Sequence, residues 1–285
     1  MYGDLDTVKD EINKGTDINA KDSEGATALM LAILNHQDEI TELLLHNDKT
    51  DVNIQDDDGW TALRLAIAIN NNEIAEKLLN NDKTNVNMQD KYGETALMRA
   101  ISRNNNQIAK KLLNIKDIDV NKQDKFRRTA LMDAIIYMNN EIAELLLNNN
   151  KTNVNVQDDE GDTALMHAIL QKNKKIVELL LNNDKTDVNM QNYYGETALM
   201  CAIKLKDNEI AELLLNHKKT NVNIQDNDGK TALMYAKERN NTEAIKLLQK
   251  KSGIKSDAEQ NDVKPTLYAS CALTAGAIIK KALKK

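Results

Sequence analysis

The tripeptide Thr-Ala-Leu recurs at Thr27, Thr61, Thr95, Thr129, Thr163, Thr197 and Thr231, and every interval is 34 residues. A Val/Ile-Asn pair keeps the same step at Asn53, Asn87, Asn121, Asn155, Asn189 and Asn223, with Asn19 ahead of them. A unit of this length cannot bury its apolar faces alone. It does so only by stacking on copies of itself, which makes an elongated solenoid with one continuous core. The two globular domains that 285 residues would otherwise suggest are therefore not expected.

Each unit reads in the same order. Asp56-Asp57-Asp58-Gly59 is a turn, with Gly supplying a positive φ. Thr61 then stands as the N-cap of a short helix, Ala62-Leu63-Arg64-Leu65-Ala66-Ile67. After a polar break at Asn70-Asn71-Asn72, a second helix places Ile74, Leu78 and Leu79 on one face. An extended Val86-Asn87-Met88-Gln89 leads to the next turn.

These motifs resemble the ankyrin repeats. Gly-x-Thr-Ala-Leu-Met-x-Ala-Ile is similar to that family's Gly-x-Thr-Pro-Leu-His-x-Ala-Ala, and Glu-Ile-Ala-Glu-Leu-Leu-Leu to its second helix. The resemblance covers about residues 1–250, with seven repeats over 23–250 and a partial one over 1–22. It implies an all-α class: an ankyrin-repeat α-solenoid of stacked helix pairs, with β-hairpin fingers along a concave groove. It also implies protein–protein recognition through the fingertips and inner helices.

The departures are specific. The period is 34 rather than the family's 33, and Asn47-Asp48-Lys49-Thr50 carries the extra residue after the second helix. Ala replaces the family Pro, and Met replaces the family His at Met30, Met98, Met132, Met166, Met200 and Met234, with Arg64 the exception. That exchange implies plain apolar packing in place of a polar network. Between the helices the family Gly becomes Asn70, Asn104 and Asn240, which tolerate positive φ. It also becomes His36, Met138, Lys172 and Lys206, where strain or a different turn is expected.

Composition narrows the function. Aromatics are 3% of the chain, so the core is aliphatic. Seven lysines and three acids follow residue 250, so of the net −6 that tail carries +4 and residues 1–250 carry −10. An acidic body argues against nucleic-acid binding, which needs a basic face for phosphates. Cys201 and Cys271 have no CxxC or paired His and read as free thiols in a reducing compartment. His36, His46, His167 and His217 fall in separate parts of the stack, so no catalytic or metal constellation and no cofactor is expected. No signal peptide and no run of ~20 apolar residues is visible, so a cytoplasmic monomer is expected.

The rare residues point to a binding surface. Of nine aromatics, Trp60, Tyr92, Phe126, Tyr193 and Tyr194 sit in the finger segments, and Tyr137 ends an inner helix. Five of six arginines fall between residues 64 and 128, and Arg127 replaces a fingertip Gly. Arg and aromatic residues are enriched in interface hot spots. The expected partner site is therefore Trp60, Tyr92, Arg99, Arg103, Phe126, Arg127, Arg128 and Tyr137 on the second to fourth full repeats, with Tyr193 and Tyr194 beyond. Drift among duplicated copies is the competing explanation.

At the ends, Leu5, Val8 and Ile12 look like a second helix without a first, either a reduced cap or the remains of a longer chain. Residues 251–264 read as a linker, and 265–285 as an amphipathic helix with Lys280, Lys281 and Lys284 opposite its apolar face. Three roles fit that helix: a cap on the last repeat, an association helix, or an interfacial contact with anionic membrane. The alternatives to a stand-alone scaffold are a targeting arm of a larger enzyme and an effector delivered into another cell.

Overall fold

The structure is a computed structural model that describes residues 4–252; the expected helix over 265–285 lies outside the described residues. Helix α1 spans Leu5–Asn13. Seven helix pairs follow: α2 (Ala28–Leu34) with α3 (Asp38–Leu45), α4 (Ala62–Ala68) with α5 (Asn72–Leu79), and α6 (Ala96–Ser102) with α7 (Asn106–Leu113). Then come α8 (Ala130–Ile136) with α9 (Asn140–Asn148), α10 (Ala164–Leu170) with α11 (Lys174–Asn182), α12 (Ala198–Lys204) with α13 (Asn208–Asn216), and α14 (Ala232–Glu238) with α15 (Thr242–Ser252). Through most of the stack the first helices pack closer to one another than the second helices do, so the first helices line the concave side.

Each repeated residue makes a repeated bond. Every motif Thr caps its helix: Thr61 Oγ1 accepts from the Arg64 amide at 3.3 Å and Thr95 Oγ1 from the Met98 amide at 3.3 Å. A cap of this kind contributes ~1 kcal/mol to its helix. The methionine sulfur is more than filler. The amides of Thr27, Thr129 and Thr197 donate to the sulfurs of Met30, Met132 and Met200, each at 3.5 Å, closing a reciprocal cap. Plain apolar packing was too simple an expectation, because a thioether is a weak acceptor as well as a hydrophobe. The methionines of the first six such positions, Arg64 aside, are 1% exposed.

The turn between the helices is the same in all seven copies. His36, Asn70, Asn104, Met138, Lys172, Lys206 and Asn240 all hold φ between 51° and 58°. A different turn is thus ruled out, and the left-handed conformation is adopted whatever the side chain. The next residue but one starts the second helix, and Asn71, Asn105, Asn139, Asn173 and Asp207 cap it by accepting a main-chain N–H. The longer link after the second helix is closed by its Thr: Thr50 Oγ1 donates to Leu44 O and Thr84 Oγ1 to Leu78 O, both at 2.6 Å.

The Asn of the Val/Ile-Asn pair stitches repeat to repeat. Asn87 Nδ2 donates to Asp117 O at 2.8 Å while its Oδ1 accepts from the Asp119 amide at 2.8 Å. Asn53, Asn121, Asn155 and Asn189 make the same two bonds one repeat apart. Between the stitched edges runs the aliphatic core, built on Leu29, Ile33, Ile67, Leu78, Leu97 and their equivalents. Two larger residues join it: Tyr235, 8% exposed, and Arg64, 2% exposed.

Candidate functional site

Each fingertip is built on one side-chain oxygen. Asp56 Oδ1 accepts from the amides of Asp58 and Trp60, Asp90 Oδ1 from Tyr92 and Glu94, and Asp124 Oδ1 from Phe126 and Arg128. Asp22, Asp158, Asn192 and Asp226 do the same in the other fingers. The loop is so tight that extended pairing survives only as isolated bridges among the described residues, Lys21 with Thr27, Gln157 with Thr163 and Gln191 with Thr197. The fingers are therefore short hairpins. Successive fingers are laddered: the amides of Lys91, Lys125, Asp159 and Tyr193 donate to the carbonyls of Asp58, Tyr92, Phe126 and Glu160 at 2.7–3.0 Å.

That ladder explains the fingertip glycines. A Cβ on Gly59 would stand 2.8 Å from the Lys91 amide, and one on Gly93 would stand 2.9 Å from Asp124 Cα. Arg127 occupies the same position at φ 60° with a full side chain. Just there one side-chain bond between fingers is longer, Gln123 Nε2 to Gln157 O at 3.2 Å against 2.8–2.9 Å at the four corresponding steps, while the main-chain rung, the Asp159 amide to Phe126 O, stays at 2.9 Å.

The ten expected site residues separate into two groups. Tyr92, Phe126, Tyr137, Tyr193 and Tyr194 are exposed by 41–60%, and Arg103 and Arg127 are exposed as well. Lys125 lies over both the Tyr92 ring, at 4.1 Å, and the Phe126 ring, at 5.0 Å. Arg127 Nη1 donates to the Tyr193 hydroxyl at 2.5 Å, across the intervening finger. By contrast Trp60, Arg99 and Arg128 are half-buried and already engaged. Trp60 packs against the core under the Arg64 guanidinium, 4.3 Å from the ring centre, and Arg99 sits 5.7 Å away on the same ring. Glu94 Oε2 accepts from both Arg64, at 2.7 Å, and Arg99, at 2.8 Å, while Arg64 also pairs with Asp90. Arg128 holds Asp124 Oδ2 through Nε and Nη2 at 3.0 and 2.7 Å.

The inner helices add groups that the sequence reading did not single out. Leu31, Leu34, Leu170 and Leu205 are exposed along the same side. Of twelve large hydrophobics exposed among the described residues, ten lie on fingers or on the inner helices and their last turns, so the apolar surface is largely one-sided. Asp133, on α8, is 3% exposed. Its Oδ1 has no hydrogen-bond partner, and Arg128 Nε stands 3.8 Å away. Burial pushes its carboxyl up to about 7 against the pull of Arg128, with Asp124 and Glu94 adding to the rise. In the next repeat His167 Nε2 lies 2.8 Å from Asp158 Oδ2. Burial would raise the Asp158 carboxyl, but the bonds from His167 and from the Asp162 and Glu160 amides outweigh it and hold the pKa below the ordinary value. Burial also pushes the Cys201 thiol up to about 12, which keeps it unreactive.

A hollow of about 700 Å³ lies elsewhere, between α11 and α13 on the second-helix side, lined by Glu178, Leu181, Leu213 and His217 among others. No cluster of His, Cys, Asp and Glu suited to a metal ion occurs among the described residues. No helix among them is long and apolar enough to cross a membrane.

A family profile described as ankyrin repeats in three copies matches residues 1–90, 65–158, 139–226 and 207–280, nearly the whole chain. The chain belongs to the ankyrin-repeat family. Ankyrin-repeat proteins generally serve protein–protein interaction, and the fold is typically a non-catalytic scaffold. Among solved structures, the chain is similar to an ankyrin-repeat domain, ABAYE2397, from Acinetobacter baumannii AYE. The TM-score is 0.61 at 30% identity, over 67% of this chain and 97% of that one. It is similar to a chain in the complex of the Bd0816 predatory endopeptidase from Bdellovibrio bacteriovorus with immunity protein Bd3460. There the TM-score is 0.57 at 31% identity, over 66% of this chain and 96% of that one. The ankyrin-repeat domain of Bcl-3 shares the fold, with a TM-score of 0.68 at 22% identity over 80% of this chain and 100% of that one. No curated protein matches this chain.

Proposed function

We propose that this ankyrin-repeat chain is a recognition scaffold without chemistry of its own, which binds another protein along the fingers and inner helices of its central repeats. The observation that carries the reading is the one-sided placement of exposed apolar groups, with Tyr92, Phe126 and Tyr137 at its centre. Exposed aromatic residues beside cations are the usual anchors of an interface. The similarity to a chain in a complex of two proteins supports the same reading.

The competing account is drift among duplicated copies, in which the aromatics have no task. Pull-down with mass spectrometry separates the two accounts. A Phe126→Ala/Arg127→Ala double variant is expected to lose partners that the wild type retains, with nearly unchanged thermal unfolding. Identical partner lists for the two proteins would contradict the proposal.

A further inference from the structure

Within the acidic body, residues 91–128 carry a local excess of cations that the protein does not neutralise. Lys91 is spent on Asp58, Arg99 on Glu94 and Arg128 on Asp124. Arg103, Lys125 and Arg127 are exposed, and among the described residues none of them has a carboxylate within ion-pair distance. These three stand on or beside the elements that expose Tyr92, Phe126 and Tyr137. The neighbouring fingertips are acidic and expose Asp57 and Asp58 on one side and Asp159 and Glu160 on the other.

Arg127 is the most telling of the three. Six of the seven fingertips keep Gly at this position, at φ 75–78°. An L-residue there costs roughly 1–2 kcal/mol of backbone strain. The longer Gln123–Gln157 bond marks the same place. The Tyr193 hydroxyl takes only Nη1, so Nε and Nη2 remain for a planar acceptor. Positive φ alone assigns nothing, since Met138, Lys172 and Lys206 hold it in the turns between helices; Arg127 is set apart by replacing a Gly that the other six fingers keep and by its free donors. The guanidinium fork fits a carboxylate bidentately.

Building on the proposed protein-binding reading, we infer that the third and fourth fingers take an acidic polypeptide segment carrying an aromatic or large aliphatic side chain, with Arg127 as the specificity-determining residue. Lys125 and Arg103 hold carboxylates on either side, and Tyr92, Phe126 and Tyr137 take the apolar group. Acidic fingers 2 and 5 repel a segment whose negative charge runs past the central repeats, which confines it to one register.

The test uses the full chain and a random peptide display library. Peptides retained by the wild type are sequenced, then measured by fluorescence anisotropy against an Arg103→Glu/Lys125→Glu/Arg127→Glu variant whose urea midpoint is checked alongside. Retained peptides are expected to be enriched in Asp and Glu around an aromatic or leucine. They should bind the charge variant at least ~10-fold more weakly and weaken with added salt. Enrichment of basic or neutral peptides, or equal binding to the charge variant, overturns the acidic assignment. If such peptides still depend on Phe126 and Tyr137, the protein-binding reading stands without it. If no peptide is retained above the level of a Phe126→Ala/Tyr137→Ala variant, both fail. Tighter, Arg127-dependent binding of a single-stranded DNA 20-mer also overturns the inference, in favour of a nucleic acid.

Discussion

Fingers 3 and 4 are built from the same seven-residue frame and differ at one backbone-critical position. Finger 3 has Gly93, pressed to within 2.9 Å of Asp124 Cα for any added Cβ; finger 4 has Arg127 at a similar φ. The glutamine side-chain bond leaving finger 3, Gln89 Nε2 to Gln123 O, is 2.9 Å, and the one leaving finger 4 is 3.2 Å, although the main-chain rung of finger 4 stays at 2.9 Å. Repeats supply their own controls, because neighbouring copies answer the same packing problem. The comparison separates the residues that hold the stack from those the proposal assigns to a partner. Gly, Asn and Thr hold the period; both fingers expose an aromatic, and the one that departs adds an exposed guanidinium beside it.

The largest effect should come from giving finger 3 the residue of finger 4. Gly93→Arg would push a Cβ into the next finger at φ 75°, and we expect a loss of about 2–4 kcal/mol, read from the urea midpoint. An unchanged midpoint would mean that the ladder yields more easily than its close contacts imply. The next largest should come from an inter-repeat stitch. Asn121→Ala removes bonds to Lys151 O and to the Asn153 amide, each at 2.8 Å. It should cost about 1–3 kcal/mol, and hydrogen exchange should show the third and fourth repeats opening first.

Asp133 sharpens the comparison from the groove side. Its raised pKa means that the folded protein holds the proton more tightly than the unfolded chain does. The stability this group contributes is therefore full below the ordinary carboxylate value and is lost as pH rises through about 7. Asp133→Asn should raise stability by on the order of 2 kcal/mol at pH 8, with the gain vanishing near pH 4. A gain that does not change between those pH values would show that the carboxyl is not buried in its charged form.

Much of the fold was legible because each recurring residue does one repeated job. Thr caps, Asn stitches, and fingertip Gly clears the next finger, so a single period reports all three. The exposed finger aromatics were legible too, since nothing in the helical pattern gives them a place in the core. The groove leucines were not. A first helix such as Ala28–Leu34 is apolar all round, so its pattern cannot say that Leu31 and Leu34 face outward. Nor could the engagement of Trp60 be read from its neighbours. It depends on Arg64, held by Asp90 and Glu94 from the following repeat, at 26 and 30 residues' remove. The acceptor role of the methionine sulfur leaves no trace in a hydrophobic pattern either.

The central claim is that Arg127 is kept against the interest of the fold, and the most direct measurement is the urea unfolding of Arg127→Gly. Relief at φ 60° should outweigh the loss of one exposed hydrogen bond to Tyr193. The account predicts a midpoint shifted upward by about 0.5–1 kcal/mol. A midpoint below that of the wild type would contradict it, because Arg127 would then be holding the fingers together rather than waiting for a partner.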